Sequence, residues 1–78
     1  MKASSLLNRI AVDPKIMIGK PVIKGTRLPV EIIVEKVAYG ASFQEILEDY
    51  PFLTENDIKA ALLYSARRLS LEETYASQ

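Results

Sequence analysis

Between Gly19 and Val30 the chain reads GKPVIKGTRLPV, and the two glycines and two prolines among these twelve residues exclude both a regular helix and a central strand. What remains is turn-rich: "PVI" and "TRLPV" are extended fragments on either side of Lys24-Gly25, where glycine supplies the permissive backbone of a tight turn. Pro21 and Pro29 withhold N–H donors, so the fragments are expected as edge strands or arms of a hairpin hinged at Gly25. Asn8 to Val12 alternates well enough for a further short strand, which Asp13-Pro14 stops. Short edges invite pairing with a second copy, which makes Ile10, Val12, Val22 and Ile23 candidate contacts of an intersubunit sheet.

Downstream the pattern becomes helical. Pro29 suits a first helical turn, and Val30, Ile33, Val34, Val37 and Ala38 recur at helical spacing until Gly40 ends the run. Ser42 and Glu45 form a capping box for a second helix with Phe43, Ile46 and Leu47 inward, and Pro51 bars helical geometry at Tyr50. Thr54 caps a third helix, Asp57 making an imperfect version of the same box, with Ile58, Ala61, Leu62, Ser65 and Leu69 along one side. The expectation is a mainly α fold: a basic arm with short β-strands over 1–28, a three-helix helix-turn-helix body over 29–71 and a short tail over 72–78.

The net charge of zero hides a segregation. Residues 1–30 carry six cations against Asp13 alone, or +5, while residues 31–78 carry four cations against nine acids, or −5. A basic arm on an acidic body points to nucleic acid or an acidic surface as the arm's partner, or to head-to-tail pairing of chains; a solvated surface with uneven charges is the plain alternative. In a helix-turn-helix the third helix would enter the major groove, and its start presents Glu55, Asn56, Asp57 and Lys59. Asn56 suits adenine and Lys59 guanine or phosphate, but two carboxylates among four contacts are a poor match to a phosphate-lined groove. Candidate DNA contacts are therefore Lys20, Lys24, Thr26, Arg27, Asn56 and Lys59. Thr26 also has a structural reading as a backbone cap, and Arg27 as a partner of Glu31.

From Ala60 to Ala66 the third helix is apolar nearly all the way round. Either Leu63, Tyr64 and Leu71 meet another chain, with Arg67 and Arg68 beside them, or the arm folds back over that stripe. A 78-residue chain buries only roughly 60–65% of its unfolded surface, so association is an expected supplement and a homodimer the expected assembly.

Asp13-Pro14, the Gly19–Val30 run, Gly40-Ala41-Ser42, Ile46 to Pro51, Leu53-Thr54 and Asp57-Ile58 with Ala60-Ala61-Leu62 together resemble the bacterial family known as domain of unknown function 433. The resemblance covers about Ile10 to Ala66, with Leu28 standing where Ile or Val is commoner. It implies a homeodomain-like trihelical fold with an N-terminal extension. Many members are similar to antitoxins paired with PIN-like ribonuclease toxins, so the resemblance implies toxin neutralisation and autoregulation through operator DNA. The competing reading is a small dimeric interaction module that ignores DNA.

An enzyme is the weakest reading. Cysteine and histidine are absent, no base stands ready to activate Ser, Thr or Tyr, and no catalytic residue, metal ligand, cofactor or small-molecule substrate is assigned. Met1 to Leu7 hold one Lys and no apolar run long enough for a signal peptide, and nothing approaches the length of a membrane span, so no membrane partner is expected and the cytoplasm is the expected compartment.

Overall fold

The computed structural model describes residues 2–76. In chain order these form α1 (Ala3–Leu7), β1 (Ile10–Ala11), a short 3-10 turn (Met17–Gly19), β2 (Val22–Ile23), α2 (Val30–Ala38), α3 (Phe43–Asp49) and α4 (Glu55–Ala76). The three body helices start and stop where their local chemistry dictates. Pro29 is extended at φ −65° and ψ 142° and opens α2; Gly40, at φ +92°, lets the chain leave it. At α3 the capping box is complete, and Tyr50, at φ −129° and ψ 78°, leaves the helical region that the following proline disfavours.

The arm is built as a hairpin. Gly25, at φ +81°, turns the chain, and the Thr26 N–H donates to the Ile23 carbonyl at 3.0 Å. Val22 bridges Pro29, while on its other side β2 pairs antiparallel with β1, Ile10 opposite Ile23 and Ala11 opposite Val22. The two prolines flank β2 rather than interrupt it, so the expected edge fragment has neighbours on both sides. This overturns the intersubunit-sheet expectation for Val22 and Ile23, which are 0% and 2% exposed. Ile10 is likewise spent inside the chain, packed on the core.

α1, which the residue pattern did not announce, lies along α4, and β1 also touches that helix. The arm thus folds back over α4, the second of the two outcomes expected for the apolar stripe. Ala60 is completely buried, and Leu63 and Tyr64 are half-buried. Leu69, expected to line the inner side of α4, is instead exposed, as is Leu71. The expected tail from residue 72 is, through Ala76, a continuation of α4; residues 77 and 78 lie outside the described residues.

One core joins these parts. Ile33, Ile46 and Ile58, each fully buried, bring α2, α3 and α4 together, with Leu53 from the α3–α4 turn and Ile23 from the arm in the same cluster. At about 1.5–3 kcal/mol for each large apolar side chain buried, this cluster supplies most of the driving force for the body. Among the described residues no helix is long and apolar enough to cross a membrane.

Candidate functional site

The hairpin tip is rigid where its charges are. Thr26 donates its hydroxyl to the Ile23 carbonyl at 2.7 Å and accepts the Leu28 N–H at 3.0 Å. The Lys24 N–H donates to the Arg9 carbonyl at 2.8 Å, tying the tip to the residue that precedes β1. Thr26 is therefore a half-buried structural residue rather than a free contact. Lys24 and Arg27 on either side are exposed, and neither side chain has a hydrogen bond or ion pair among the described residues. Lys20 is different: its ammonium sits 2.6 Å from Glu31, taking the acid expected for Arg27.

The arm is anchored at the start of α4. Asp57 accepts the Thr54 N–H on Oδ2 at 2.9 Å, and its own N–H donates to Thr54 Oγ1 at 3.3 Å, completing the capping box. Arg9 reaches the other carboxylate oxygen at 3.1 Å and also donates to Thr54 Oγ1 at 3.4 Å. Asp57 is only 8% exposed, so it is not one of the groove-facing acids at the helix start. Asn56 is half-buried and Lys59 stands 3.4 Å from Glu55, which leaves α4 without a free cation in its first turn. Sequence reasoning missed Arg9 because its partner lies forty-eight positions away.

A concave feature of about 790 Å³ opens between α2, α4 and the 3-10 turn. Val12, Val34, Tyr64 and Leu69 supply apolar lining, and Glu35 and Arg68 stand on opposite walls. Neither charged group has an ion-pair partner among the described residues. Of the interface candidates, Val12, Tyr64 and Arg68 are thus brought together, while Leu63 lies outside this lining and Arg67 and Leu71 sit exposed on α4.

Away from these faces, Lys36 donates to Asp49 at 2.9 Å and lies 5.4 Å from the Tyr50 ring centroid, which stacks edge-on against Phe52. The hydrogen bond to Asp49 raises the Lys36 ammonium above its ordinary value. Glu45 is held below the ordinary carboxylate value, first by the Ser42 backbone N–H and then by the Ser42 hydroxyl. Among the described residues no group of three or more acids gathers into a cation site.

The family described as "Protein of unknown function (DUF433)" matches residues 10–65, which is β1 through the middle of α4. An uncharacterized protein of Sinorhizobium fredii, y4eO, is 38% identical over 56 residues, covering 72% of this chain and 25% of that protein. An uncharacterized protein of Archaeoglobus fulgidus is 64% identical over 25 residues, 32% of this chain and 69% of its own. The chain therefore spans about a quarter of the length of the first of these relatives. The crystal structure of a DUF433 member protein from Anabaena variabilis superposes with a TM-score of 0.75 at 32% identity, covering 96% of this chain and 74% of that one.

Proposed function

The chain belongs to the DUF433 family, proteins of unknown function, and from that premise we propose that it is an antitoxin-like protein that binds and neutralises a PIN-like ribonuclease in the cytoplasm through its cationic hairpin. The observation that carries this reading is the pair Lys24 and Arg27, exposed and without counter-ions among the described residues, on a tip whose backbone is fixed by Thr26 and by Arg9. A PIN-like site is a cluster of carboxylates around a divalent metal. A planar guanidinium matches a carboxylate bidentately, and a tip already held in shape loses little conformational entropy on docking. The order of α2, α3 and α4, with short turns between them, supports a homeodomain-like body as the scaffold for that tip.

A second reading keeps DNA as the arm's partner, and the same two cations favour it. Autoregulation would then run through phosphate contacts of the hairpin rather than base reading by α4, whose first turn exposes Glu55 and has its Lys59 paired. Co-expression of Lys24→Glu/Arg27→Glu with a PIN-like ribonuclease from the adjacent reading frame, the partner this reading requires, separates the possibilities. Loss of co-purification at unchanged melting temperature supports toxin binding, and undiminished capture sinks it. Under the DNA reading, affinity for the promoter fragment falls steeply with salt, and the double variant flattens that slope by about two phosphate contacts.

A further inference from the structure

The 3-10 turn is strained without an internal reason. Met17, Ile18 and Gly19 follow one another in the left-handed region at φ +50°, +58° and +80°. Glycine tolerates this conformation; a β-branched residue there costs about 1–2 kcal/mol. Ile18 is also 96% exposed, so no packing within the chain offsets the strain, and Met17 beside it is among the exposed large apolar residues. The turn is nonetheless defined by hydrogen bonds, Gly19 N–H to the Ile16 carbonyl and Lys20 N–H to the Met17 carbonyl, so the exposed isoleucine is held rather than loose.

This projection adjoins the groove between α2 and α4, because Gly19 and Lys20, the next two residues, line it. One face therefore offers an apolar projection and an apolar recess, with an acid on one wall and a cation on the other that have no ion-pair partner among the described residues. A two-fold axis passing between projection and recess sets each copy's projection opposite the other copy's recess, and each acid opposite the other copy's cation. A partner of single charge sign would leave either Glu35 or Arg68 opposed by its like. We propose that this face is the contact surface of a homodimer, in which Ile18 of each copy seats in the other's groove and Arg68 pairs with the partner subunit's Glu35. A standard interface needs about 800 Å² from each partner, roughly one-seventh of the 5530 Å² that this chain exposes. The inference is independent of the toxin reading, since Lys24 and Arg27 do not line the groove.

Sedimentation equilibrium on the full chain from about 1 to 100 μM tests it, the range in which an interface of this size shows a dimer of micromolar affinity. Ile18→Gly weakens the dimer at least tenfold while the melting temperature of the monomer holds or rises, because strain is removed. Glu35→Arg and Arg68→Glu each weaken it by about tenfold, and the double swap restores affinity to within about threefold of the parent. A wild-type chain that stays monomeric over the whole range overturns the proposal. So does a dimer whose affinity changes by less than about twofold in all three single variants, since it must then form through another face. Circular dichroism of each variant confirms that the fold persists, and Ile18→Gly, altering an exposed side chain, keeps the test decisive if a charge swap does not fold.

Discussion

At the start of α3 and at the start of α4 the chain uses one device in two settings. Ser42 and Glu45 exchange backbone hydrogen bonds at 3.1 and 3.0 Å, and both are exposed. Thr54 and Asp57 exchange them at 3.3 and 2.9 Å, but Asp57 is buried and its second oxygen binds Arg9 of the arm. The first box begins α3 and, among the described residues, fastens no distant segment. The second also fastens a distant segment, because the shorter aspartate keeps its carboxylate close to the helix start, within reach of the guanidinium. Identical local chemistry thus acquires tertiary weight from burial and from a partner, not from the motif.

If that contrast is right, Asp57→Ala is the most damaging change at either box. It strands the Thr54 N–H and Arg9 together and costs about 2–3 kcal/mol, which lowers the melting temperature of a chain this small by about 10–20 °C. Arg9→Ala leaves the cap and removes only the fastening, so about 1–2 kcal/mol is lost, and amide exchange at Ile23 and Lys24 accelerates more than exchange inside α3. Ser42→Ala costs about 1 kcal/mol by urea unfolding and leaves the exchange of the arm unchanged. A Ser42→Ala loss as large as that of Asp57→Ala would break the comparison.

The smallest effect is pH-dependent. Glu45 titrates lower in the folded chain than its ordinary value, so its stabilising contribution is complete above the ordinary carboxylate value and is lost as pH falls through the folded one. Denaturation midpoints of wild type and Glu45→Gln therefore differ at neutral pH and converge on acidification. Parallel curves would mean that the Ser42 contact does not discriminate between the charged and neutral forms.

The same division explains what could be read from the sequence. α2, α3 and the start of α4 were legible because proline, glycine and capping residues act within four positions of themselves, and Gly25 marked its turn for the same reason. Thr26 was legible as a backbone cap. The closure of the arm was not: Arg9 pairs across forty-eight positions, and a five-residue helix at Ala3–Leu7 takes its support from α4 rather than from its own pattern. Val22 and Ile23 carried the marks of an exposed edge, yet β1 and Pro29 occupy both sides. Met17 and Ile18 gave no warning of left-handed backbone, since residues that favour it are usually glycine or asparagine. Of the candidate site, the cations at the tip were visible beforehand, whereas Glu35, Leu69 and Ile18 drew interest only once folding had set them on one face.

The bond from Arg9 to Asp57 also sets an order of events during synthesis. The arm leaves the ribosome first, yet its fastening point is made forty-eight residues later, roughly 2–10 s at ordinary elongation rates. Throughout that interval Ile10, Val22 and Ile23, all destined for the interior, have no body to pack against. The arm's fastening therefore becomes available only after the start of α4 has been made, so a segment synthesised before the body is secured after it begins to form.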